Sequence, residues 1–152
     1  MRADATQDPA ALAAEVTAAR DRLLSWAAAC PDSRWTTALG DDDPRPVAVV
    51  LDHVADAYGY IGRWIEALVR GEDLHVDGAV VDDLNARHAA GGTPSRAEVV
   101  AHLVGAGDRL VALVAGLSPA DVRRGDGRVA RLATIATLHA DGHREELEAS
   151  LA

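Results

Sequence analysis

Two histidines placed four residues apart, His139 and His143, are the residues of this sequence best suited to binding a metal ion. The surrounding segment has helical spacing of apolar residues over about residues 129–150, and residues four apart lie on one face of a helix. That face carries several apolar residues and is expected to point inward: Leu132, Ile135, Ala136 and Leu147. A buried imidazole without a polar partner costs about 1–3 kcal/mol, and a shared metal ion would satisfy both rings.

His53 could supply a third ligand from a second helix, which is predicted over about residues 44–70. The apolar residues of this helix form two stripes, as is typical of a bundle helix with two neighbours. His53 lies on the second stripe, which it shares with Val50, Ala57, Tyr60 and Trp64. If this helix packs beside the last one, the three histidines converge. Three protein ligands leave coordination positions open for water or substrate, and imidazole suits zinc, nickel, iron or copper without selecting among them.

The alternative is that the inward histidines are hydrogen-bonded core residues, which is the usual role of a single one. We prefer a metal site because one ion would explain all three positions, two of which are in register. The other histidines, His75, His88 and His102, are not expected to be ligands, and His102 is predicted to be a solvated surface residue. The sequence identifies no catalytic residue, and Cys30 is interpreted as a buried structural thiol.

Composition restricts the partners and the chemistry. All 15 basic residues are arginine, which excludes Schiff-base lysines and the lysine of a P-loop. The net charge of −9 repels phosphate backbones, so we expect no nucleic-acid partner. No apolar run approaches the roughly 20 residues of a membrane helix, and residues 1–8 do not resemble a signal peptide. We therefore expect a cytoplasmic protein with no membrane partner, and leave open whether it forms a homodimer.

The whole chain, residues 1–152, is predicted to be a single all-α domain. Four long segments have helical spacing of apolar residues, and no segment is predicted to be a strand. The first helix begins at the pair Asp8–Pro9, and the third begins after Ser95, the first residue of a capping box. The fold class is therefore a four-helix bundle with a long connection between the second and third helices.

Two connections between the helices are long enough to need an interpretation. Residues 32–43 are interpreted as a solvated loop, with Asp43 as the cap of the second helix. Residues 71–92 form the longer connection, which is predicted to contain a short helix over about residues 79–90. Connections of this length are often functional or serve as a crossover.

The segments that carry the three histidines resemble one known family. Residues 50–56 (Val-Leu-Asp-His-Val-Ala-Asp) and 139–147 (His-Ala-Asp-Gly-His-Arg-Glu-Glu-Leu) look like segments of the DinB-like superfamily, whose members are also called YfiT-like metal-dependent hydrolases. The resemblance extends to shorter segments along most of the chain: the loop at Trp35, Leu84–Asn85 and the turn at residues 117–121. It implies a four-helix bundle in which His53, His139 and His143 hold a divalent metal ion.

The resemblance also implies a class of reaction. Characterised members of the superfamily use low-molecular-weight thiols, such as mycothiol or bacillithiol, in transferase or isomerase reactions. The composition, rich in alanine and with arginine in place of lysine, resembles that of a high-GC actinobacterium, which favours mycothiol as cosubstrate.

The expected function is therefore that of a metal-dependent enzyme, either a thiol S-transferase or a hydrolase. Its partner is a small electrophilic substrate, and the candidate pocket residues are Tyr60, Trp64 and Asn85. The alternative is a non-catalytic metal-binding or stress-response protein. An exchangeable water on the bound metal would distinguish the enzyme from this alternative.

Overall fold

The computed structural model describes residues 8–89 and 92–151, and the side chain of His88 lies outside the described part. The described residues form four long helices, three short helices and one small hairpin. Their order is α1 (Pro9–Ala29), α2 (Asp32–Trp35), β1 (Ala38–Gly40), β2 (Asp43–Pro46), α3 (Val47–Val69), α4 (Gly78–Ala89), α5 (Arg96–Ala115), α6 (Pro119–Val122) and α7 (Arg124–Ser150). The four predicted long helices correspond to α1, α3, α5 and α7. The predicted four-helix bundle is therefore confirmed.

Each long helix packs against two others. α3 contacts α5 and α7, and α1 contacts the same two helices, so that α1 and α3 lie diagonally across the bundle. The first apolar stripe of α3 is mostly buried, whereas Ala57, Tyr60 and Trp64 of the second stripe are half-buried. The largest fully buried aliphatic residues come from all four helices: Leu12, Leu23, Leu51, Ile65, Leu103, Leu110 and Leu147. Burying each such side chain contributes roughly 1.5–3 kcal/mol, and no histidine is among these residues.

Local capping signals mark where α1 and α5 begin. The Asp8 carboxylate accepts hydrogen bonds from the backbone N–H groups of Ala10 and Ala11, as its predicted capping role requires. Ser95 and Glu98 form the predicted capping box of α5. Residues 125–127 have positive φ, so regular helical geometry in α7 starts at residue 128, close to the predicted start of the fourth helix.

The short helix α2 and the hairpin correct the interpretation of residues 32–43 as a solvated loop. β1 and β2 are antiparallel, with Ala38 opposite Pro46 and Gly40 opposite Asp43. The predicted capping role of Asp43 is wrong, because α3 begins at Val47 and its N-cap is Pro46, which has no capping side chain. The Asp43 carboxylate instead accepts hydrogen bonds from its neighbour on the hairpin, Arg45.

The prediction that His102 is a solvated surface residue is also wrong. Its ring is half-buried between α5 and α3, with Nδ1 2.7 Å from Oδ1 of Asp52 and Nε2 3.5 Å from Oδ1 of Asp56. His102 therefore connects two helices of the bundle.

The predicted short helix in the long connection is present as α4, which packs beside α3. None of the described helices has both the length and the apolar character of a membrane-spanning helix.

Candidate metal centre

The three histidines selected from the sequence lie together where α3 packs against α7. Nε2 of His139 is 3.1 Å from Nε2 of His53 and 3.1 Å from Nε2 of His143. The ligand atoms of all three side chains lie within 4.8 Å of one another. The arrangement follows from the fold, because α7 stacks His139 and His143 one turn apart while α3 presents His53 from the adjacent helix. The result is a cluster that could hold a metal ion.

The distances between the nitrogens suit a shared ion. Nitrogen ligands that are each 2.0–2.1 Å from a tetrahedral zinc ion lie about 3.3 Å apart. The two 3.1 Å separations are close to that value. Nε2 of His139 carries either one proton or one lone pair, so it can form a linear hydrogen bond with only one of its two neighbours. A cation among the three nitrogens would satisfy every contact, and the donor set therefore fits a divalent metal.

The electrostatics of the cluster favour the neutral form of His139. Burial, and to a smaller extent the neighbouring His143, lower the pKa of His139 to about 4. The ring is then uncharged near neutral pH, and a neutral imidazole is the form that binds metals. Proton competition at His139 is accordingly weak under those conditions.

His143 is oriented by a chain of polar contacts that leads to the hairpin. Its Nδ1 lies 2.8 Å from Oε2 of Glu146, which leaves Nε2 of the same ring directed at the cluster. Glu146 Oε1 accepts a 2.6 Å hydrogen bond from Nη2 of Arg45, and the same Nη2 donates to Asp43 Oδ2 at 2.6 Å. The Arg45 guanidinium holds the pKa of the Asp43 carboxyl below its usual range. A carboxylate on the far nitrogen of a metal-binding histidine fixes the orientation of the ring and strengthens it as a ligand.

Sequence reasoning missed both Glu146 and Arg45. Glu146 could have been found, because it follows His143 by three residues and the two therefore share one helix face. Arg45 carries no such signal. It reaches Glu146 across 101 positions of sequence, and only the hairpin, which was not predicted, brings it there.

A second ion pair fixes α7 from its other side. Arg22 of α1 donates two hydrogen bonds to the carboxylate of Asp141, at 3.0 and 2.8 Å. These bonds hold the pKa of Asp141 below its usual range. Asp141 lies between His139 and His143 in sequence, so this contact with α1 sets the position of the turn that carries both imidazoles.

A cleft of about 380 Å³ adjoins the cluster and is lined by all three histidines. The candidate pocket residues Tyr60 and Trp64 of α3 and Asn85 of α4 all line it. Tyr60 and Trp64 are half-buried, and their ring centroids are 6.3 Å apart in a stacked arrangement. The structure thus brings these residues to one cleft, and their role in binding a substrate stays a prediction.

Ile135 shows that the histidine face of α7 borders this cleft. The sequence predicted that Ile135 points into the core, whereas its side chain is 49% exposed and lines the cleft. Apolar spacing identifies the inward face of a helix, but it cannot distinguish a filled core from the wall of an open cleft. A small molecule in the cleft would therefore have access to the cluster.

The chain matches a known protein family over most of its length. A family model described as the DinB superfamily, DinB_2, matches residues 15–147, a range that includes all three histidines and the hairpin. No curated protein and no solved structure matches the chain.

Proposed function

The chain belongs to the DinB superfamily, and on that premise we propose that it binds a divalent metal ion and uses it for chemistry on a small molecule. The ligands would be His53, His139 and His143, and the small molecule would occupy the adjacent cleft. One observation carries this proposal: three imidazole nitrogens meet within 4.8 Å of one another in the wall of an accessible cleft.

The number of ligands supports a catalytic rather than a structural site. Structural zinc sites usually have four protein ligands, whereas catalytic sites have three and an open position. Among the described residues the cluster contains three histidines, and the cleft lies beside them. A bound divalent ion would act as a Lewis acid that makes a water molecule or a thiol a better nucleophile near neutral pH.

The protein side chains then have separate tasks. Glu146, held by Arg45, keeps His143 in its ligating orientation. Tyr60 and Trp64 form a wall that shields a bound molecule from water on one side. Asn85, at the exposed edge of the cleft, can donate or accept a hydrogen bond and so orient a polar group of the substrate.

Two nucleophiles are compatible with this site. The family resemblance supports a low-molecular-weight thiol such as mycothiol, which would make the protein an S-transferase acting on an electrophile. Water is the alternative and would make it a hydrolase. Turnover of a chlorodinitrobenzene with added thiol, compared with turnover of an aryl ester without thiol, separates the two.

The proposed ligand set is tested by metal analysis of the untagged protein after loading with zinc. We expect His53→Ala, His139→Ala and His143→Ala each to lower zinc affinity at least about tenfold, because each removes one of three ligands. His75→Ala is the matched control, since that side chain is 89% exposed. An unchanged zinc affinity in His53→Ala, measured by competition with a chelator, would contradict the three-histidine site. A saturated metal with no exchangeable water would instead favour a non-catalytic metal-binding protein.

A further inference from the structure

We infer that the cleft accepts a ligand with a metal-binding polar head and an uncharged, apolar body, such as an alkyl or aryl group. This inference rests on the proposed function, because the head must reach the three histidines. It goes further by naming the class of molecule that the cleft selects. Of the two nucleophiles named above, it favours water or a less hydroxylated thiol, because the polyhydroxylated body of mycothiol would be a poor occupant of the same space.

The distribution of polar groups along the cleft leads to this inference. Outside the histidine cluster most of the lining is apolar and comes from three helices: Ala57, Ile61 and Trp64 of α3, Val81 and Leu84 of α4, and Ile135 of α7. Beyond the cluster, three lining residues carry polar groups: Arg45, Tyr60 and Asn85. The cleft therefore offers an apolar body extensive contact and offers a hydroxylated body few partners.

The charge of the cleft is also compensated. Arg45 lines it, but Nη2 of its guanidinium already binds Asp43 and Glu146, each at 2.6 Å. An anionic group on the ligand would meet a guanidinium whose positive charge is already balanced by these two carboxylates. The body of the ligand is accordingly expected to carry no charge.

Desolvation decides between an apolar and a hydroxylated body. A hydroxyl that leaves water without a new hydrogen-bond partner loses affinity, whereas buried alkyl groups gain it in proportion to their area. The volume of about 380 Å³ lies at the lower end of the range for small-molecule sites. The occupant is therefore a compact molecule whose apolar part contacts Trp64, Val81 and Ile135.

The test measures binding to the zinc-loaded protein with three hydroxamates as probes. Acetohydroxamate supplies the metal-binding head alone, hexanohydroxamate adds an alkyl chain, and gluconohydroxamate adds a chain of the same length that carries hydroxyls. We expect hexanohydroxamate to bind about tenfold or more tightly than acetohydroxamate, because its chain buries apolar area. Gluconohydroxamate is expected to bind no more tightly than acetohydroxamate.

Matched variants locate the alkyl chain in the cleft. Ile135→Asn and Val81→Asn change lining residues that are already 49% and 40% exposed, so the fold should tolerate both. Their controls are Leu138→Asn on α7 and Val80→Asn on α4, which change residues that are 64% and 39% exposed and do not line the cleft. We expect the lining variants to reduce the preference for hexanohydroxamate to below about threefold and the controls to keep it.

The possible outcomes separate this inference from the proposed function. If gluconohydroxamate binds as tightly as hexanohydroxamate, or if the control variants lose the preference as fully as the lining variants, the inference is overturned and the metal site stands. If the protein takes up no zinc, or if the zinc-loaded protein binds none of the hydroxamates, the proposed function fails. The inference then fails with it.

Discussion

His143 and Glu146 lie one helical turn apart on α7, with Nδ1 of the imidazole 2.8 Å from Oε2 of the carboxylate. Arg45 of the hairpin holds the other oxygen of Glu146 at 2.6 Å. The hairpin therefore acts on the histidine cluster although it contributes no ligand to it. The link between the hairpin and the cluster is the Glu146 carboxylate, which contacts Arg45 through Oε1 and His143 through Oε2.

Removing this carboxylate should weaken metal binding without unfolding the protein. We expect Glu146→Ala to lower zinc affinity about 10–100-fold, because partners of this kind fix the ring orientation and raise the basicity of the ligand. Glu146→Gln keeps an acceptor for Nδ1–H and should have a smaller effect. The measurement is competition for zinc against a chelator of known affinity.

The control for this prediction is Glu145→Ala. Glu145 is the adjacent residue on α7, and its side chain is exposed, so its loss should leave zinc affinity unchanged. Equal effects of Glu145→Ala and Glu146→Ala would show that the contact with His143 does not matter.

The bundle could be predicted from the sequence because its signals are long and periodic. Each of the four helices repeats apolar residues at helical spacing over many turns, and Asp8 and Ser95 mark two of the starting points. The hairpin gave no such signal. Its strands have three and four residues, and Pro44 and Pro46 interrupt any alternation of polar and apolar residues.

The candidate site was predictable where it depends on the spacing within one helix and on the packing of two neighbouring helices. The spacing of His139 and His143 is visible in the sequence, and His53 follows from the second stripe of its helix. The position of Arg45 was not predictable, because it depends on a long-range contact through the hairpin. The half-buried position of His102 was missed for a related reason, since its partner Asp52 belongs to another helix.

The metal-free protein should lose stability as the pH falls from about 6.5 towards 4. Burial lowers the pKa of His139 to about 4 in the folded chain, whereas an unfolded histidine titrates near about 6.5. Between these pH values the unfolded chain binds more protons than the folded chain, so a falling pH favours unfolding. Above about pH 6.5 His139 is neutral in both states, and this loss of stability is absent. From about pH 7.5 to about pH 5 we expect a loss of about 2 kcal/mol in the free energy of unfolding.

Urea unfolding at the two pH values, with chelator present, measures this loss. Other groups also titrate, so the comparison is with His139→Leu, which removes the imidazole and keeps a side chain of similar size. The variant should show a smaller pH dependence by about the same 2 kcal/mol. An unchanged pH dependence in His139→Leu would mean that another group is responsible.

Cys30 should be unreactive in the folded protein and unnecessary for function. Its side chain is 5% exposed, burial raises the pKa of its thiol, and it is not among the residues that line the cleft. We expect an aromatic disulfide reagent to label Cys30 at least about a hundredfold faster in urea than under native conditions, because the native thiol is both protonated and inaccessible. Cys30→Ser should keep its zinc and any turnover, at a cost of about 1 kcal/mol in stability for the buried hydroxyl. Loss of turnover with zinc retained would assign the thiol a catalytic role.

Removing the metal should lower the melting temperature but leave the helices intact. The core residues of α1, α3 and α5, such as Leu23, Leu51 and Leu103, are fully buried and do not depend on the histidines. A ligand present at a hundred times its dissociation constant stabilises the folded state by about 2.7 kcal/mol, which corresponds to roughly 5–10 °C for a chain of this size. Circular dichroism with saturating zinc and with chelator should therefore show the same helical signal and different melting temperatures. His143→Ala should remain folded and show at most about half of this shift at the same zinc concentration, because its zinc affinity is expected to be at least about tenfold lower. Loss of the helical signal on chelation would mean that the metal is needed to form the bundle.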